Sequence, residues 1–128
     1  MKRVVIDTNI LISATISSKS KPAQIMMLIS YGELLLFYCQ EILNEYKRVL
    51  AYERLNIPTQ AQNNAIEGIN KLGILIEPVA GATPLPDETD RVFYDTAQAS
   101  GAILITGNIK HYPNEPFIMT PSDFLLTF

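Results

Sequence analysis

Four polar residues stand where this sequence could do chemistry: Asp7, Glu45, Asp90 and Asn108. Carboxylates and amide oxygens are hard donors, which suit Mg²⁺ or Mn²⁺ and not zinc. Three acids at one site could hold one or two such ions. With two, one ion would lower the pKa of an attacking water and the other would stabilise the leaving oxygen, and the natural substrate is a phosphodiester. Crowded acids would also repel one another and titrate together without metal. The alternative for each is structural: Asp7 and Asn9 as turn and N-cap formers, Glu45 and Asp90 in salt bridges with Lys47, Arg48 or Arg91. His111, the one histidine, could serve as a general acid or contact phosphate.

The elements around them set their geometry. Val4-Val5-Ile6 is a short apolar run, the pattern of a strand buried on both faces, and Asp7 follows at its C-terminal end. Open α/β sheets bind ligands outside the carboxyl ends of their strands. Ile10-Leu11-Ile12 continues apolar before a polar loop at Ser13–Ser20. Ser20 and Pro22 start a helix that is apolar through Ile25–Ile29 and ends near Gly32; a core helix is expected, with partner contact as the alternative. Leu34–Tyr38 is the second buried strand, and an amphipathic helix follows over Gln40–Arg54. A helix over Thr59–Leu72, the strand Ile74–Ile76 and a proline- and glycine-containing loop at Val79–Pro86 come next. A helix over Asp87–Ser100 leads into the strand Ala102–Ile105, with Thr106-Gly107-Asn108 at its end. A short strand at Phe117–Met119 and a last helical turn from Pro121 complete the chain.

Alternating buried strands and helices predict one α/β domain over residues 1–128, a doubly wound three-layer α/β/α sandwich with a mostly parallel sheet of about five strands. Asp7 and Asn108 then share a rim. Three- and four-residue spacing sets Asp90 with Phe93, Tyr94 and Ala97 on the apolar face, and Asp95 with Arg91 and Gln98 on the outer face. Glu45 falls on the border of its helix's core stripe.

At 128 residues, 48% hydrophobic, there is material for a sizeable core. The net charge of −3 gives no global basic signal, so a nucleic acid would have to be held by a local basic rim or by metal. Lys19, Lys21, Arg91 and Lys110 with His111 are the candidates for that rim. The single cysteine, Cys39, excludes an internal disulfide and reads as a small buried hydrophobe. No apolar run approaches a membrane span and the N-terminus does not read as a secretory signal, so the expectation is a soluble cytoplasmic protein.

The residues Val5-Ile6-Asp7-Thr8-Asn9, Glu45, Pro86-Asp87-Glu88-Thr89-Asp90-Arg91 and Ile105-Thr106-Gly107-Asn108, in this order over essentially the whole chain, resemble those of PIN-domain nucleases, in particular VapC-like ribonuclease toxins of bacterial toxin–antitoxin pairs. The resemblance implies a PIN fold and hydrolysis of RNA, with Asp7, Glu45 and Asp90 binding Mg²⁺ or Mn²⁺. Asn108 stands where family members often carry a fourth acid, so a second ion would be held more weakly. Thr8, Asn9 and Thr106 would orient Asp7 or a metal-bound water, and Asp87 and Asp95 are the nearest alternatives to Asp90. The implied partners are RNA, a small antitoxin protein and a second copy of the chain. Two other readings stand beside this one. A phosphotransfer domain, of aspartate-phosphatase or receiver type, would want a second aspartate where Asn9 stands, or an aspartate where Glu77-Pro78 follows the third strand. A catalytically weak PIN-like module would act through a partner.

Overall fold

The computed structural model describes residues 1–128. The chain runs β1 (Lys2–Ile6), α1 (Thr8–Ile16), α2 (Lys21–Ser30), β2 (Leu34–Tyr38), α3 (Gln40–Leu50), α4 (Thr59–Leu72), β3 (Ile74–Leu75), α5 (Arg91–Ser100), β4 (Ile103–Ile105), β5 (Ile118–Met119) and α6 (Pro121–Thr127). Three 3₁₀ turns, Glu53–Leu55, Glu88–Asp90 and Ile109–His111, lie between them. The expected doubly wound α/β/α architecture is found, with all five strands parallel in the order β3-β2-β1-β4-β5. Val4, Val5 and Ile6 are fully buried at its centre, which is why their run is apolar on both faces.

The chain winds outward from β1 through β2 to β3, then returns by α5, which packs against β1, β2 and β4. The direction of winding therefore reverses between β1 and β4, the place where doubly wound sheets open a crevice. Register fixes what meets there. Val4, Val5 and Ile6 pair with Ile103, Leu104 and Ile105, and the Asp7 amide donates to the Ile105 carbonyl at 2.9 Å. Asp7 and Thr106, the next residue on each strand, are thus brought side by side.

Several boundaries differ from the sequence reading. The first half of the loop expected at Ser13–Ser20 is helix, because α1 begins directly after Asp7 and continues to Ile16. In its last turn Thr15 donates its hydroxyl to the Leu11 carbonyl at 2.8 Å. The helix expected to reach Arg54 stops at Leu50 and gives way to the Glu53–Leu55 turn. Asn56, at φ 54°, turns the chain after it. β3 is a two-residue edge strand, not a buried one: Leu75 is 56% exposed because only β2 lies beside it. Ser20 caps α2 as expected, accepting from the Ala23 amide at 3.2 Å. Ile25 and Ile29 face the protein's own core while Met27 is exposed, so the apolar side of α2 is largely used internally.

Candidate active site

Asp7 closes β1 and caps α1. It is 6% exposed, and its Oδ1 accepts from the Thr8 amide at 2.8 Å. Its Oδ2 accepts from the Thr106 hydroxyl at 2.7 Å and the Tyr112 hydroxyl at 3.0 Å. Thr106 Oγ1 in turn accepts from the Asn108 amide at 3.0 Å, so the turn after β4 is tied to the carboxylate ending β1. Burial, then the Asp7 and Asp90 carboxylates, push the Tyr112 phenol above its ordinary pKa, which keeps it a proton donor to Asp7. Two bonds occupy the lone pairs of Oδ2, while Oδ1 retains one. From below, the buried Tyr46 hydroxyl donates to the Ile6 carbonyl at 2.6 Å.

Around Asp7 opens a cleft of about 430 Å³, whose lining includes Thr8, Asn9, Glu45, Asp90, Asn108 and His111. All the expected acidic and amide positions, Asp7, Glu45, Asp90 and Asn108, therefore face one space although four different segments supply them. Asn9 accepts from the Gly107 amide at 3.1 Å, bracing the same turn. Glu45 pairs with Arg48 across one turn of α3, so the structural alternative for Glu45 and its place on the cleft hold together.

Asp90 ends the 3₁₀ turn before α5, with its side chain 17% exposed. Its carboxyl is pushed up to about 6, by burial first and then by Asp7 and Asp87, with His111 opposing. The His111 Nδ1 lies 3.4 Å from Asp90 Oδ2, yet that oxygen makes no hydrogen bond and is buried, as is Thr8 Oγ1. Buried polar atoms are almost always partnered, and a buried carboxylate oxygen and hydroxyl without hydrogen bonds on one acidic cleft fit a bound cation. Asp87, Asp90 and His111 also bring a ligand atom each to within 4.8 Å of one another. Asp87 caps the 3₁₀ turn, and its carbonyl accepts from the Asp90 amide at 3.2 Å, which sets the two carboxylates close together. Two hydrogen bonds from Thr89, through hydroxyl and amide, hold Asp87 below the usual carboxylate range. A divalent cation fits this donor set of hard, anionic oxygens.

Most members of the expected basic rim lie away from this cleft. Arg91 does not face the cleft. Its guanidinium pairs with Glu88 at 3.0 Å and Asp95 at 3.3 Å and donates to the Gly81 and Thr83 carbonyls. Asp95, expected on the outer face, is 6% exposed, because the loop before α5 folds over it and the Gly81 amide donates to its Oδ2 at 3.1 Å. Lys19 and Lys21 are not on the cleft: α1 begins there and its nine residues carry the chain about 13 Å away. Lys21 instead donates to the Ser122 hydroxyl at 3.0 Å. Lys110 is exposed but outside the lining; His111 alone of the proposed rim is part of it. The arginines that do line the cleft are Arg48, which the sequence offered only as a salt-bridge partner, and Arg54, which it did not single out. Tyr112 was read only with Lys110 and His111 as a stretch that could hold RNA; its bond to Asp7 leaves no local signal in the sequence.

The sequence model of the PIN domain matches residues 3–110. An uncharacterized protein of Methanocaldococcus jannaschii, MJ1680, is 29% identical over 109 residues, covering 83% of this chain and 70% of that protein. The crystal structure of PAE2754 from Pyrobaculum aerophilum superposes with a TM-score of 0.63 at 16% identity, over 98% of this chain and 88% of that one, which is a likeness of fold. No helix is long and apolar enough to cross a membrane.

Proposed function

The chain belongs to the PIN domain family, in general a fold of metal-dependent nucleases, and from that premise we propose that it is a Mg²⁺- or Mn²⁺-dependent endoribonuclease. One observation carries this reading: Asp7, Glu45, Asp90 and Asn108 line a single cleft at the sheet's switch point, with an orphaned, buried Asp90 oxygen among them. Asp7, Asp90 and Glu45 would hold the ion, with Asp87 beside Asp90 and a neutral oxygen from Asn108 in place of a fourth charge. The ion would supply Lewis-acid stabilisation of charge on a phosphodiester.

The chain's own groups prepare that site. Thr106 and Tyr112 lock Oδ2 of Asp7 and so aim its remaining lone pair. Arg48 holds Glu45 at the cleft wall. His111, against Asp90 at the cleft mouth, is placed to hold a proton near a leaving oxygen. Resemblance to toxin ribonucleases supports a place in a toxin–antitoxin pair, with a small partner protein closing the cleft and a second copy of the chain as oligomeric partner.

The test is cleavage of a labelled RNA pool by purified protein with Mg²⁺ or Mn²⁺. Asp7→Asn and Asp90→Asn should each lower the rate by about 100-fold or more. Cleavage no greater than that of the two variants would overturn the enzyme. Growth arrest on induced expression, lost in Asp7→Asn, checks the toxin role.

A further inference from the structure

The acidic cleft has one wall of different character. Tyr52 lines it, following α3, with the Arg48 guanidinium 5.6 Å and the Arg54 guanidinium 5.2 Å from its ring centroid. Arg48 is committed to Glu45 and to the Tyr52 hydroxyl. Arg54 makes no hydrogen bond or ion pair with the protein, and its planar fork is exposed on the cleft. The segment bearing both is built rigidly. Leu55 donates to the Tyr52 carbonyl at 3.1 Å and Asn56 to the Glu53 carbonyl at 3.0 Å. Leu55 and Ile57 pack into the core on either side of the left-handed Asn56.

We infer that Tyr52 and Arg54 form a subsite for one unpaired nucleotide next to the scissile phosphate, the base stacking on the Tyr52–Arg54 platform and Arg54 reaching its phosphate. The inference rests on the nuclease assignment. A strand entering a cleft lined by Asp7, Glu45, Asp87 and Asp90 meets repulsion on that side. Arg54 is the cation there that no acidic side chain neutralises. Aromatic and guanidinium planes stack on any base, so the platform would choose unpaired over paired nucleotides without choosing sequence. A guanidinium held over a phenol ring also offers two planar groups against which a base can lie.

The experiment measures binding of a short fluorescent single-stranded RNA by anisotropy, in an Asp90→Asn background so that cleavage does not intervene, and repeats it with one base at a time removed. Tyr52→Ala and Arg54→Ala should each weaken binding about tenfold, and Tyr52→Phe much less. One abasic position should cost the Tyr52-containing protein a similar factor and cost the Tyr52→Ala protein nothing further. In the cleaving protein, Arg54→Ala should raise KM with kcat held. Circular dichroism establishes that each variant is folded, and the abasic series tests the contact without touching the protein. If every abasic position costs both proteins equally, or if Arg54→Ala alone weakens binding, the base subsite is overturned while the nuclease stands. If the chain neither binds nor cleaves RNA, both fall.

Discussion

At the scale of single residues, the cleft is defined by carboxylates whose environments differ. Asp87 is held ionised by Thr89, Asp7 is tied down by three donors, and Asp90 is desolvated beside both. The Asp90 carboxyl, raised from 3.8 to about 6, binds its proton more tightly folded than unfolded. Without metal, its contribution to stability is therefore greatest below about pH 4 and lost as pH rises through 6. The unscreened shift amounts to about 3 kcal/mol, and partial solvent access reduces this to about 1–2 kcal/mol. Asp90→Asn should accordingly raise the melting temperature in EDTA at pH 8 and leave it unchanged near pH 4, as calorimetry at the two pH values would show. Groups that only orient Asp7 should act differently. Tyr112→Phe and Thr106→Val are expected to weaken Mn²⁺ affinity about 10- to 100-fold, measured by titration calorimetry, with the fold retained.

At the scale of elements, α5 does two things. Its preceding 3₁₀ turn delivers Asp87 and Asp90 to the cleft, and its first turns clasp the loop from residue 76 to residue 87. Arg91 and Asp95 form that clasp through Gly81 and Thr83. Removing Arg91 leaves Asp95 buried with one backbone donor, so Arg91→Ala should lower the midpoint of urea denaturation. The helix starts were readable because capping is local: Ser20 before Lys21-Pro22, and Thr120 before Pro121, accept from amides three residues on. α1 was not read as a helix because Ile10-Leu11-Ile12 is a continuous apolar run and Ser13, Ala14 and Thr15 after it carry no apolar period. Asp95 was misplaced for a related reason. Helical phase gives the direction of a side chain but not which distant loop comes to cover it.

At the scale of the whole molecule, the acidic charge and the few cations on the cleft limit how RNA can be held. With Arg54 the one cleft cation that no acidic side chain neutralises, log Kd for single-stranded RNA should rise with log salt at a slope of about 1. A steep slope would mean a basic surface elsewhere, such as Lys19 or Lys110. Bound divalent metal should also stabilise the entire fold, because its ligands come from β1, α3 and the start of α5 together. At a concentration of 100 Kd the gain is about 2.7 kcal/mol, seen as a higher melting temperature that Asp7→Asn abolishes.

Sequence by itself determined the parallel sheet, the order of its elements and the strand-end position of Asp7, because apolar runs and caps act over a few residues and tolerate little choice. It also marked Glu45, Asp90 and Asn108, which the fold brings to one rim. Only the tertiary structure decided how that rim is completed. His111 came up against Asp90, a loop folded across Asp95 and drew Arg91 away, and Tyr112 reached Asp7 across 105 positions of chain. Each of these depends on which segments pack together, and no local period in the sequence records that. Arg54 and Tyr52 belong with them: two unremarked surface residues become a wall of the cleft only once α3 ends early and the chain turns at Asn56.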